Sequence, residues 1–166
     1  MPEVLFGQLF NLDEAREWRE QMRKHNKRVV FTNGVFDILH AGHVEYLAWA
    51  REQGDALILG LNTDATVTQL KGEARPIVPF EERARVLCAL RSVDVVVGFH
   101  EWTPEVILDR IRPDIHVKSD QYREEELPER TVVLGYGGEI RLAPHRIGPS
   151  TTDTIARILF RYTNEE

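Results

Sequence analysis

The sequence predicts an α/β protein, a three-layer α/β/α sandwich around a five-stranded parallel sheet. Three observations carry this expectation. Short β-branched or apolar runs alternate with amphipathic stretches at helical spacing, the signature of a strand-helix-strand series. The run DALILGLN (55–62) is apolar almost throughout, as expected of a strand covered on both faces. No repeat or low-complexity linker interrupts the 166 residues, a length that suits one domain with its own core.

Each element has its local reason. Asn11 is placed to cap a helix to about Lys24, with Glu14 completing a capping box and Leu12, Ala15, Trp18 and Met22 along one face. RVVFTNG (28–34) is a β-branched run ending at Gly34, the first central strand. AGHVEYLAWAREQG (41–54) reads as a helix, with Val44, Leu47, Ala48 and Arg51 at helical spacing and Gly54 as its stop. After the strand at 55–62, TDATVTQLKG is a short helix or turn, 71–79 is irregular, and FEERARVLCALRS is a helix. VDVVVGF (93–99) is the third strand, and a helix over 103–112 carries Pro104 at its first position. DIHVK (114–118) is the fourth strand, the polar SDQYREEELPER a loop, and a helix near 128–137 stops at Gly137 and Gly138. EIRLAP (139–144) is the fifth strand, and STTDTIARILFRY a final helix capped by Ser150.

Composition narrows the function classes. Hydrophobic residues make up 42%, charged residues 29%, and the net charge is −6. This excludes a disordered chain and argues against a general nucleic-acid binder, which needs a basic stripe. A local basic pocket for a small phosphate ligand stays open. No apolar run approaches a membrane span, and MPEVLFGQLFNLDEA lacks the basic and apolar regions of a signal peptide. The lone cysteine, Cys88, has no intrachain partner and reads as a small core residue in a reducing compartment. The expectation is a cytoplasmic protein that contacts neither nucleic acid nor membrane.

The stretch FTNGVFDILHAGH (31–43) raises the functional question, because His40 and His43 fall where a strand ends and a helix begins. In open parallel sheets ligands bind beyond the C-terminal strand ends, and a helix N-terminus favours an anion. Their spacing puts both rings on one side of the first helical turn, and bare Gly42 would let a phosphate approach the backbone. Two imidazoles aimed at one anion can donate hydrogen bonds to a pentacovalent phosphorus centre as charge grows on its oxygens. Two plainer readings compete. The pair could ligate a metal, although no third ligand accompanies it at usual spacing. Both could equally be hydrogen-bonded polar residues at a helix start.

The wider string TNGVFDILHAGHVEYL resembles the signature of the cytidylyltransferase-like nucleotidyltransferase superfamily, in which a G-x-F-D segment precedes H-x-G-H. LGLNTDATV, LKGEARPIVPFEER, VKSDQY and GPSTTDTI follow in the family's order. Within that superfamily the chain, from about Arg28 to Ile158, resembles the heptose-1-phosphate adenylyltransferases. The resemblance implies a Rossmann-like fold of the HUP type and a homodimer. It implies transfer of a nucleotidyl group from ATP, or CTP, with Mg2+, to a sugar phosphate, releasing pyrophosphate. It further implies that Gly34, Val35 and Phe36 line the nucleotide, that Asp37 holds their loop, and that His40 and His43 stabilise the α-phosphoryl transition state beside Gly42. Ser150, Thr151 and Thr152, preceded by Gly148, would grip the β- and γ-phosphates, consistent with hydroxyls at a helix N-terminus; an ordinary cap needs only Ser150. Lys71 is a solvated loop charge by position and a phosphate contact on a flap by resemblance. Arg75 and Arg83 are further contact candidates, Arg83 alternatively pairing on its own helix surface. Lys118, at the exit of the fourth strand, is placed by topology to reach the phosphates and joins the histidines as a catalytic candidate. The sequence contains no dedicated carboxylate cage for a metal.

Two departures bear on the substrates. The heptose enzymes read V-K-G-G-D-Y where this chain reads VKSDQY, so Ser119 and Asp120 replace glycines and Gln121 an acidic residue near the acceptor. Arg91 in ALRSVD matches an arginine of the glycerol-phosphate cytidylyltransferases, whereas His145, Arg146 and Ile147 depart from their R-T-E-G. ATP with heptose 1-phosphate is therefore the first expectation. CTP with an alditol phosphate such as glycerol 3-phosphate is the second, and a nucleotide-binding module without turnover the third.

Overall fold

The structure is a computed structural model that describes residues 7–144 and 150–163. Six parallel strands form one sheet: β1 (Gln8–Phe10), β2 (Val29–Gly34), β3 (Ala56–Asn62), β4 (Val95–Phe99), β5 (Ile115–Ser119) and β6 (Glu139–Ala143), in the order β1-β4-β3-β2-β5-β6. The helices are α1 (Leu12–Lys24), α2 (Ala41–Glu52), α3 (Asp64–Lys71), α4 (Phe80–Cys88), α5 (Glu105–Ile111), α6 (Arg130–Gly135) and α7 (Thr151–Thr163).

Alternation along the strands divides the core into two layers. Val30, Leu57, Leu59, Leu61, Val96 and Val117 meet Leu47 and Ala50 of α2 and Ala84 and Leu87 of α4. Val29, Phe31, Ile58, Val95 and Val97 meet Ala15 of α1, Ile107, Leu108 and Ile111 of α5, and Val133 of α6. All of β3 is buried, so its apolar run has the double coverage expected of it. Each fully buried Leu or Ile here contributes about 1.5–3 kcal/mol. The three-layer sandwich is thus the predicted one.

The strand count is not. β1 adds a sixth strand, pairing Gln8 with Val95, Leu9 with Val96 and Phe10 with Val97. Three residues with Leu9 46% exposed offer no period to detect. The capping box of α1 forms as expected: Glu14 N–H donates to Asn11 Oδ1 at 2.9 Å and Asn11 N–H to Glu14 Oε2 at 2.8 Å. In α2 the buried stripe is Leu47 and Ala50, while Val44 is 43% exposed and Arg51 leaves the stripe to bond Asp94 at 2.9 Å.

At the lower end of the sheet, three aspartates just ahead of strands accept backbone N–H groups of neighbouring strand starts. Asp55 accepts from Arg28 at 2.8 Å, Asp94 from Leu57 at 2.8 Å and Asp114 from Val29 at 2.7 Å. These bonds fix register there and so align the upper ends. Arg91 is exposed in the turn leading into β4, on this lower end. That corrects its expected substrate role, since ligands of such sheets bind at the opposite edge. At that edge β2 leads into α2 on one face and its neighbour β5 leads toward α6 on the other. Adjacent strands whose connections diverge open a crevice between them.

Candidate active site

The crevice is built from the exit of β2. After Gly34 the chain turns through Phe36, whose φ of +45° is left-handed. Such a conformation in a bulky residue needs support from its surroundings. Phe36 is 7% exposed, with its ring over Gly34, where a Cβ would come within 2.8 Å of Cε2. The Phe36 ring braces His43, edge-on, with centroids 5.1 Å apart at 62°. His43 stacks on His40 at 3.8 Å and 25°. A Cβ on Gly42 would lie 3.1 Å from His40 Nδ1 and 3.2 Å from its Cε1. Gly42 therefore makes room for the His40 ring.

His40 caps α2 through its carbonyl alone, accepting from the N–H of His43 at 3.0 Å and of Val44 at 3.3 Å. The Nδ1 atoms of both histidines are buried with no hydrogen-bond partner. Among the described residues no protein group satisfies either Nδ1, and a buried polar atom without a partner costs stability. Burial, with the neighbouring His40, pushes the His43 pKa down to about 4. Two stacked imidazolium ions would repel, whereas an anion bound at their edges reverses that balance. Among the described residues no group of three or more His, Cys, Asp or Glu could hold a metal ion.

Two buried charges hold the surrounding loops. Asp37 accepts the N–H of Ile77 at 2.9 Å and of Val78 at 2.8 Å, and pairs with Arg75. Burial alone would raise its pKa; the Ile77 and Val78 N–H groups and the Arg75 guanidinium outweigh it and hold the carboxyl below its ordinary value. Asp37 thus anchors the segment around residues 75–78. Arg83 is 1% exposed and donates to Val78 O at 2.9 Å, Val35 O at 2.7 Å, Asn62 O at 3.0 Å and Asp64 Oδ1 at 2.6 Å. The Arg83 guanidinium is committed to protein partners at Nε, Nη1 and Nη2, which corrects its expected role as a substrate contact. Arg75, in contrast, engages Asp37 through Nε alone. Arg83 ties the exits of β2 and β3 together from beneath the site.

Lys118 stands on the far wall of the crevice. Its ammonium donates to Asn33 Oδ1 at 3.2 Å, lies 3.3 Å from Glu129 Oε1, and sits 5.5 Å from the Tyr122 ring centroid. Thr32 Oγ1 and Tyr46 OH bond each other at 2.7 Å and both reach Val117 O, pinning α2 to β5. From the third side, Thr151 Oγ1 donates to Ile38 O at 3.2 Å, which brings the start of α7 to the histidine loop. Ser150 caps α7, accepting from Asp153 N–H at 3.1 Å, but its own N–H and hydroxyl both donate to Asp153 Oδ2 at 2.7 Å. The Asp153 carboxylate thus takes up the Ser150 donors at this helix start. Thr152 is exposed there, and Gly148 lies outside the described residues. Lys71 is the exposed last residue of α3 and not a loop residue, and Asp120 is exposed beyond β5. Sequence reasoning missed Asn33, His116 and Glu129. Only His116 left a signal, as a polar residue in mid-strand.

Comparison with known proteins agrees with this geometry. Residues 31–156 match the cytidylyltransferase-like family. The chain is similar to the bifunctional protein HldE of Syntrophotalea carbinolica, 48% identical over 150 residues, covering 90% of this chain and 31% of the relative. It is similar also to bifunctional protein HldE of Pseudomonas paraeruginosa, 50% identical over 139 residues, covering 84% of this chain and 29% of the relative. The chain thus spans about a third of the length of these curated relatives. Among solved structures, the lipopolysaccharide core biosynthesis protein of Thermoplasma volcanium superposes with a TM-score of 0.60 at 26% identity, covering 72% of this chain and 99% of that one. With its H-A-G-H histidines stacked in the crevice of a parallel sheet, this chain belongs to the cytidylyltransferase-like family of nucleotidyltransferases.

Proposed function

We propose that the chain is one catalytic domain that transfers AMP from ATP to a sugar phosphate, heptose 1-phosphate first among them, releasing pyrophosphate. The observation that carries this is the stacked pair His40 and His43, each with a buried, unpartnered Nδ1, at the mouth of the crevice. Their Nε2 atoms are then the nitrogens available to the α-phosphoryl oxygens. An oxygen of the acceptor's phosphate attacks the α-phosphorus in line, the P–O bond to the β-phosphate breaks, and pyrophosphate carries off the electron pair. The attacking phosphate is already an anion, so the reaction needs no general base and no covalent enzyme intermediate. Catalysis then consists of orientation and of donors aimed at the charge on the pentacovalent centre. Lys118 contacts the nucleotide's phosphates, and the hydroxyls of Thr151 and Thr152 approach its β- and γ-phosphates. Magnesium arrives with the triphosphate as part of the substrate and neutralises it.

The heptose acceptor rests on the resemblance of VKSDQY and its neighbours to the heptose enzymes. A cytoplasmic location follows from the same reading. A homodimer is supported by α7, none of whose residues is buried and which exposes Ile158, Leu159, Phe160 and Tyr162. Sedimentation would give its mass.

The test is pyrophosphate release with magnesium, setting ATP, CTP, GTP and UTP against heptose 1-phosphate, other sugar 1-phosphates and glycerol 3-phosphate. Turnover confined to ATP and heptose 1-phosphate is expected. Preference for CTP and glycerol 3-phosphate would move the chain to the alditol-phosphate enzymes. Nucleotide binding without turnover against any acceptor would sink the enzymatic reading.

A further inference from the structure

We propose that Glu129, backed by His116, is a positioning residue that aims the Lys118 ammonium into the crevice; this rests on the reading of Lys118 as a phosphate contact. Glu129 precedes α6 and is 1% exposed, yet it is an acid. Its Oε1 takes the His116 Nε2 contact at 2.9 Å and the Lys118 Nζ contact at 3.3 Å. His116 is fully buried beneath the Phe31 ring, with centroids 5.8 Å apart. Burial is the largest influence on its pKa and holds it below the ordinary value despite the carboxylate beside it. A carboxylate only accepts, so the Nε2 proton is donated to Glu129. Burial would raise the Glu129 pKa, but the His116 and Lys118 contacts outweigh it and bring it to about 2, so the group is an anion.

The consequence falls on the lysine. Lysine carries a flexible four-carbon stem ending in three equivalent donors, and left alone it samples many positions. Here Glu129 stands at one side of the ammonium, Asn33 Oδ1 at 3.2 Å on another, and the Tyr122 ring at 5.5 Å on a third. These contacts hold the ammonium from three sides, and with the Lys118 side chain only 15% exposed it is set in place before a ligand arrives. A structural role alone would not call for this arrangement. Buried ion pairs are often replaced by apolar residues without loss, whereas a preset cation lowers the ordering cost when a phosphate binds. His116 sits two residues before Lys118 on the same face of β5, which is how one carboxylate reaches both.

The experiment is a double-mutant cycle on the full chain, reading kcat and the KM for ATP by pyrophosphate release. The four proteins are wild type, Glu129→Gln, Lys118→Met and the double variant. If Glu129 acts through Lys118, Glu129→Gln lowers kcat about tenfold in the wild-type background and has no further effect once Lys118 is methionine. The same tenfold loss in both backgrounds would make Glu129 a structural residue and overturn the proposal. So would full activity of Glu129→Gln. Full activity of Lys118→Met gives a different pattern; it removes the phosphate-contact reading and the positioning role with it. Should Glu129→Gln fail to fold, Glu129→Asp replaces it in the same cycle. Aspartate keeps the charge but is one methylene short of Lys118, and the same non-additivity is expected.

Discussion

Gly42→Ala separates two accounts of why a bare residue stands between the histidines. The added methyl would lie 3.1 Å from His40 Nδ1 and 3.2 Å from Cε1, a few tenths of an ångström closer than ordinary contact. The His40 ring must yield, and its stacking on His43 at 3.8 Å restricts where it can go. Alanine gains up to about 1 kcal/mol over glycine within a helix, and an off-rotamer ring costs about 0.5–1.5 kcal/mol. These nearly cancel, so the thermal midpoint should stay within about 4 °C of wild type. Activity should not be spared. A displacement of 1 Å at a reacting group costs about a hundredfold, so on a logarithmic scale about 0.3 Å costs roughly fourfold. The assay is steady-state pyrophosphate release beside thermal unfolding, with the loss expected in kcat and the KM for ATP nearly unchanged. A large rise in KM instead would mean that the methyl blocks a phosphate at the backbone, restoring the account drawn from sequence. Unchanged kcat and KM would show that the His40 position does not matter to turnover, and the reasoning fails.

Three further perturbations probe the surrounding structure. The His43 pKa is about 4 when folded against an ordinary 6.5, so the unfolded chain takes up that proton first. Its contribution to stability is complete above pH 6.5 and is lost as pH falls toward 4; after discounting for partial exposure it amounts to about 1–2 kcal/mol. Urea unfolding from pH 7 to 4.5 should show this slope in wild type and a flatter one in His43→Gln, and equal slopes would refute the assignment. Arg83→Met leaves the Val35, Val78 and Asn62 carbonyls without their donor. It should destabilise the fold by about 3–5 kcal/mol in urea titration; a stable variant with only its ATP affinity reduced would return Arg83 to the substrate. Asp153→Asn removes the negative charge held against the Ser150 N–H and hydroxyl at 2.7 Å. The KM for ATP should fall about threefold. A higher KM would show that the carboxylate helps to shape the phosphate site.

What the sequence disclosed follows the range of the interactions involved. The strands from β2 onward, the capping box at Asn11 and Glu14, and the cap at Ser150 depend on residues within a turn or a run of each other, and all were legible. β1 depends on pairing with β4, more than eighty positions along the chain, and its three residues carry no pattern of their own. The site divides the same way. His40 and His43 announce themselves because both rings must leave one helical turn, which fixes their spacing. The groups that hold them do not. Asp37 reaches Ile77 and Val78, Arg83 reaches Val35, and Lys118 reaches Asn33, each across a distance in sequence that only the sheet closes.

A charged residue on the KGEARP loop or on an amphipathic helix looks alike in sequence whether it faces a phosphate or a buried carbonyl. Arg83 reads toward the ligand for that reason, and the structure turns it inward. The distinction is energetic. An exposed arginine contributes little by itself, whereas a fully buried one is tolerated only where carbonyls and carboxylates already surround it. The same criterion marks Glu129. A carboxylate 1% exposed that meets His116 and Lys118 acts through where it holds that lysine.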